Sequence, residues 1–224
     1  MELLVKCILY FFIYAFIGWL IEVGAKLVKT GKFVNRGFLI GPICPIYGRA
    51  GVLFLFFIYD TNNVFLVFLK SVLICSVLEY AASYIMEKMF NARWWDYSNR
   101  KFNINGRICL GTMIPFGLLG VFYRYAMHPF FEGIVNLIDY KLQVFLAILL
   151  IVIYIIDNII GYIVGFTIKN EIDDNRKDNT DIYKGRVYKW LKEKGLVHKR
   201  IMEAFPGFNP IKKVANKIKT RKKR

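Results

Sequence analysis

Residues 142–168 read LQVFLAILLIVIYIIDNIIGYIVGFTI, and Asp157 is the single charged residue among them. The hydrocarbon core of a bilayer is about 30 Å thick, so a spanning helix needs about 20 mostly apolar residues. This stretch exceeds that length without a break, which makes it a membrane span. Four other stretches, residues 3–23, 45–59, 64–86 and 108–127, have the same character less cleanly. The sequence therefore predicts an all-α fold, a polytopic membrane helix bundle of about five transmembrane helices. These form a transmembrane domain over residues 1–168, followed by a basic cytoplasmic tail over residues 169–224. Composition agrees: 56% of the 224 residues are hydrophobic, 17% are aromatic, and the mean hydropathy is +0.40. A soluble domain of this size is less apolar. The first stretch lacks the basic start and small-residue cleavage site of a signal peptide, so it is expected to remain attached.

Charge sets the expected orientation. Of the net +16, residues 169–224 contribute 18 Lys/Arg against 7 Asp/Glu. Before them, Lys26, Lys29, Lys32, Arg36 and Arg49 form an acid-free basic loop, and Lys88, Arg93, Arg100, Lys101 and Arg107 mark a second. The connection at residues 60–63 has no base, and residues 124–141 balance their charges. Basic residues near helix ends stay in the cytoplasm. The alternation places the N-terminus outside and the C-terminus inside a multi-pass protein of the cytoplasmic membrane.

Several chemistries find no foothold. Cys7, Cys44, Cys75 and Cys109 are scattered, without a CxxC pair, and there are only two His, so no metal site is legible. No GxxxxGK[ST] phosphate loop occurs, so the chain does not hydrolyse ATP by that route, and no cofactor is implied. The tail alternates polar linker, basic amphipathic segments, the turn PGFNP and the terminal run IKKVANKIKTRKKR. Its simplest partner is a surface of anionic membrane lipids. Nucleic acid ranks low, because charge alone supports it.

The two basic loops resemble each other. NRGFLIGPICPIYG begins at Asn35 and NGRICLGTMIPFG at Asn105; Gly41 matches Gly111 and Pro45 matches Pro115, each pair 70 residues apart. Glu22 and Glu79 match at 57. Two tandem helix–loop–helix repeats are expected, each with a carboxylate near the inner end of its first helix. Pro45 and Pro115 suit a first helical turn, where the missing N–H is not needed. Irregular backbone at Gly41-Pro42 and Gly111-Thr112 would aim free N–H groups at an anion. Trp94 and Trp95 fit the headgroup level. Asp96 can pair with arginine or act as a base, and Tyr97 offers a hydroxyl. The expected ligand-binding set is Glu22, Asn35, Arg36, Arg49, Glu79, Trp95, Asp96, Tyr97, Asn105 and Arg107. Asp157, Gly161 and Gly165 share one helix face and are expected to pack against the bundle.

GWLIEV, NRGFLIGPICPIYG, LEY, RWWDYS and FNINGRICLG, in this order, resemble the bacterial family of CmpB-like ABC-transporter type IV permeases, over roughly residues 11–119. The resemblance implies a permease partnered by a separate ATPase subunit. From the residues, the first expectation is a permease component binding an anionic or zwitterionic ligand at a cytoplasm-facing polar pocket. A membrane-embedded enzyme acting on lipid headgroups and a non-catalytic assembly or regulatory protein are the alternatives. A homo-oligomer stays open.

Overall fold

The computed structural model describes residues 1–175, 183–205 and 208–210. Along the chain come α1 (Glu2–Thr30), α2 (Pro45–Phe57), α3 (Val64–Phe90), β1 (Ala92–Arg93), β2 (Asn103–Ile104) and β3 (Ile108–Cys109). Then follow α4 (Leu110–Phe122), a π-helical turn (Tyr123–Met127), α5 (His128–Leu137), α6 (Tyr140–Asn175), α7 (Tyr183–Glu193), α8 (Leu196–Ala204) and β4 (Asn209–Pro210). The described residues thus form an all-α bundle with two-residue strand pairs.

Among the described residues three helices, α1, α3 and α6, are long and apolar enough to cross a membrane. The other two expected spans differ in form. With 13 residues, α2 reaches only about 20 Å. The stretch expected at residues 108–127 starts at Leu110 and continues past Met127 into α5 through the π turn, where Arg124 faces the rings of Tyr59 and Tyr125. α6 does not stop at the expected boundary after residue 168 but runs to Asn175.

Local chemistry sets the helix ends. α1 terminates where Gly31 turns left-handed (φ 67°) and its N–H bonds the Leu27 carbonyl at 2.7 Å. α3 starts at Asn63, whose side chain accepts the Leu66 N–H at 3.0 Å. Lys70 donates to the Phe57 carbonyl and the Thr61 hydroxyl, closing the end of α2. Pro45 occupies the first turn of α2 as its ring geometry favours. Pro115 does not occupy a first turn: it lies inside α4, which Cys109 and Thr112 start earlier through a reciprocal capping box. Gly111 and Thr112 are therefore helical rather than irregular.

Helix packing repeats. On α2, Gly48 and Gly51 admit Phe11 and Tyr14 of α1; on α4, Gly117 and Gly120 admit Phe68 and Ser71 of α3. The first-helix partners stand 57 residues apart, the offset of Glu22 and Glu79, while the glycines stand 69 apart. The 70-residue match of the loops therefore slips by one at the helices. In both pairs a small residue lets two helices approach until a ring or hydroxyl fills the gap, as membrane packing without a hydrophobic drive requires.

A second core lies at the other end of the bundle. Phe90, Ala92 and Trp94 pack with Ile168 and Ile172 of α6, Val187 and Leu191 of α7, Ile201 of α8 and Phe208. β1 pairs antiparallel with β4. The basic amphipathic segments expected in the tail thus include α7 and α8, whose apolar residues Val187, Leu191 and Ile201 pack against the end of the bundle. Trp94 is 2% exposed beneath Phe205 and Phe208, so it does not sit among headgroups as expected. The terminal basic run, half of the polar linker (residues 176–181) and the first two residues of the PGFNP turn lie outside the described residues.

If the glycine contacts close the pairs, Gly48→Ala and Gly120→Ala should each destabilise the protein by about 1–3 kcal/mol. Gly133→Ala, where nothing lies within 4 Å of the added methyl, should not. Thermal unfolding of the purified variants in one detergent compares the three.

Candidate functional site

At the end of the bundle covered by α7 and α8, the loop between α1 and α2 crosses α6. Asp157 accepts the Ile40 N–H at 2.8 Å with one carboxylate oxygen and the Gly41 N–H at 2.9 Å with the other. Those are the free N–H groups expected to face an anionic ligand; the anion is the protein's own carboxylate. Beside it, Phe38 and Leu39 lie over Gly161 and the Phe90 ring over Gly165. The three residues assigned to packing face the same loop and helix end. Arg200 of α8 donates to the Phe38 carbonyl at 3.0 Å and to the Gly37 and Asn35 carbonyls at 3.4 and 3.5 Å, fixing the loop from the other side.

The loop places Arg36 against α1. Its guanidinium reaches Glu22 at 3.2 Å, and the Tyr47 hydroxyl donates to the other Glu22 oxygen at 2.8 Å. Asn35 accepts from Trp19 at 2.7 Å and donates to the Ile40 carbonyl at 2.8 Å, so it shapes the loop.

The matching loop is built differently. Asn105 (φ 52°) and Gly106 (φ 69°) are both left-handed and turn the β2–β3 hairpin, closed by the Arg107 N–H on the Ile104 carbonyl at 3.0 Å. Asn-Gly is the favoured pair for such a turn. A Cβ on Gly106 would also collide with Ser98 and the Asp96 carboxylate. The turn sends Arg107, 6% exposed, to Glu87 at 2.9 Å and Ser83 at 3.1 Å, near the rings of Tyr80 and Tyr84. Arg93 shares Glu87 at 2.9 Å and lies 3.6 Å from Asp96. Trp95 donates to the Arg107 carbonyl, and Asn105 to the Tyr80 hydroxyl. Although partial burial raises the Asp96 pKa, the Ser98 hydroxyl and N–H, together with Arg93, hold it below its ordinary value. Asp96 is therefore ionised near neutral pH.

The expected residues thus fall into groups. Glu22 and Arg36 form one, with Glu79 and Tyr97 close by; Trp95, Asp96, Asn105 and Arg107 form another around Glu87. Arg49 joins neither: it is exposed on α2 and makes no ion pair among the described residues. Burial, reinforced by the charges of Glu79 and Glu22, pushes the Tyr97 hydroxyl above its usual pKa.

Between the helix pairs lies a partly open cavity of about 70 Å³. Its wall is made of matching positions: Gly18 and Cys75, Ile21 and Leu78, Tyr47 and Phe116, Ala50 and Leu119, Phe54 and Tyr123. Glu79 is the one ionisable carboxylate among its lining residues. The groups acting on that carboxylate are the Glu22 charge and the Tyr97 hydroxyl, and no Lys or Arg pairs with it among the described residues.

Reading by residue type passed over Tyr47, Glu87, Arg200 and His128. The one-helix spacing of Glu79 and Glu87, eight residues and just over two turns, could have flagged the latter. His128, fully buried, is hydrogen-bonded through Nδ1 to the Tyr14 hydroxyl at 2.7 Å and stacks on Tyr123; an isolated His within an apolar run was the available signal. No group of three or more His, Cys, Asp or Glu among the described residues could hold a metal ion.

Asp157→Ala leaves two backbone N–H groups unpaired and should cost about 1–3 kcal/mol for each that stays buried. Asp157→Asn, which can still accept one of them, should fall between this variant and wild type in thermal unfolding.

The sequence pattern of the family described as "Putative ABC-transporter type IV" (ABC_trans_CmpB) matches residues 9–162. No curated protein and no solved structure matches the chain. The matched segment runs from α1 into α6 and contains both helix pairs and both loops. The chain belongs to this family.

Proposed function

We propose that this family member is the membrane-embedded permease component of an ABC-type transporter, working with a separate ATPase and binding a zwitterionic ligand from the cytoplasmic side. The observation that carries the reading is the cavity between two matching helix pairs, with Glu79 on its wall and the Glu22 charge acting on that carboxylate. Two like-packed helix pairs around a shared cavity suit a transporter, because sites at repeat interfaces open by movement of one pair against the other. Membership in the family supports an ATPase partner.

Of the expected anionic or zwitterionic ligands, the ion pairing favours the zwitterion. Arg36, Arg93 and Arg107 already meet carboxylates within the chain, so a plain anion would have to displace them. A carboxylate without a cationic partner offers the complementary position. For the lipid-headgroup enzyme, Asp96 held ionised by Ser98 and Arg93 has the form a general base needs and not that of a general acid.

The N-terminus lies outside and the C-terminus inside, with α2 and the α4–α5 segment completing five crossings as packed partners of α1 and α3. The basic loops and α7–α8 then face the cytoplasm. Because Arg200 covers the first loop, the surface offered to an ATPase includes α8 as well as the loops. The test is affinity purification of the tagged chain from native membranes in mild detergent. A stoichiometric soluble ATPase is expected, and once stripped it should rebind inside-out but not right-side-out vesicles. A chain that emerges alone overturns the permease reading, and rebinding to right-side-out vesicles overturns the orientation.

A further inference from the structure

We infer that the cavity between the helix pairs receives a primary ammonium group of the ligand, held by Glu79 where the first pair holds a guanidinium. The inference deepens the permease reading and rests on it for its transport role, although the binding itself can be measured separately.

The two carboxylates are matched in sequence but not in company. Glu22 has Arg36 at 3.2 Å and the Tyr47 hydroxyl at 2.8 Å. In the second pair Phe116 stands in the place of Tyr47 and brings no hydroxyl, although its ring lines the same cavity. Gly106 stands in the place of Arg36, because Asn-Arg-Gly has become Asn-Gly-Arg. The left-handed Asn105-Gly106 turn then carries Arg107 to Glu87 and Ser83. Glu79 keeps the Tyr97 hydroxyl and faces the cavity with a second carboxylate, Glu22, as its neighbouring charge.

An ionisable group inside a span is costly and faces a partner or a cavity. Here the chain has turned the inherited partner elsewhere and left the cavity. A cation brought by the ligand restores the pairing found in the first repeat. The cavity of about 70 Å³ receives the ammonium end, with the rest of the ligand leaving through the open side. Ile21, Ile46, Leu78 and Leu119 give that segment apolar walls, and the Tyr47 and Phe116 rings add faces that attract a cation. The ligand class is therefore a primary amine on an apolar or zwitterionic body.

The probes are n-butylammonium and its neutral counterpart butan-1-ol, followed by saturation-transfer NMR on the full chain in nanodiscs. Wild type is expected to bind the ammonium at least tenfold more tightly than the alcohol. Glu79→Gln should lose that preference while still binding the alcohol, and Leu119→Trp, which fills the cavity without touching the carboxylate, should lose both. Should wild type bind the alcohol as well as the ammonium, or neither probe, the inference is overturned, and that outcome requires no variant to fold. Persistence of the ammonium preference in Glu79→Gln overturns it too. These results are separate from the ATPase purification: a missing ATPase removes the transport role without changing probe binding, and equal probe binding leaves the permease reading intact.

Discussion

The Asp157 carboxylate on α6 meets the Ile40 and Gly41 N–H groups, and the end of the bundle covered by α7 and α8 is organised around that contact. A membrane leaves no water to satisfy irregular backbone, so a loop can enter at helix depth only where protein supplies the acceptors. Asp157 supplies them from one side, and Arg200 holds the adjacent carbonyls from the other. With the loop fixed, Arg36 meets Glu22 and Tyr47 enters beside Gly18. The packing of α8 and the strand pair β1–β4 then builds on a surface that this contact has already shaped.

Conservation of packing with divergence of polar chemistry runs through the two helix pairs. Glycine at 48, 51, 117 and 120 serves the same purpose in each, and the ring-lined wall between the pairs follows from it. The loops diverge because exchanging Arg36-Gly37 for Gly106-Arg107 converts an open loop into a hairpin turn. A single-residue shift in the arginine redirects its charge to another carboxylate. Two like-packed helix pairs thus share a scaffold while one pairs its carboxylate, Glu22, with Arg36 and the other has Glu79 on the cavity wall.

The bundle was legible because apolar length is a direct consequence of bilayer thickness, most cleanly at residues 142–168. The matching of Glu22 with Glu79 and of Asn35 with Asn105 was legible as spacing. Its meaning was not, since the side chains of Asn35 and Asn105 turn out to shape loops, and the destination of Arg107 depends on a turn whose closure involves Ile104. Arg49 was grouped with the site by charge, yet its place on α2 turns it away. Asp157 could be assigned to a packed face from its spacing with Gly161 and Gly165, but its partners lie more than a hundred residues earlier in the chain. The docking of α7 and α8 escaped because their basic residues drew attention to lipid, while Val187, Leu191 and Ile201 do the covering. Pro115 lies inside α4 because Thr112 starts that helix sooner than the proline alone suggests.

Cys75 lines the cavity as a free thiol, beside Leu78 and Glu79, and it allows the central claim to be tested in one labelling experiment. With Cys7, Cys44 and Cys109 replaced by Ser, the chain in native membranes would be treated with two small thiosulfonates, one carrying a primary ammonium and the other a sulfonate. An ammonium-accepting cavity walled by Glu79 requires Cys75 to form its mixed disulfide with the cationic reagent and to resist the anionic one, with the preference lost in Glu79→Gln. Equal labelling by both reagents, or protection from both, would contradict it.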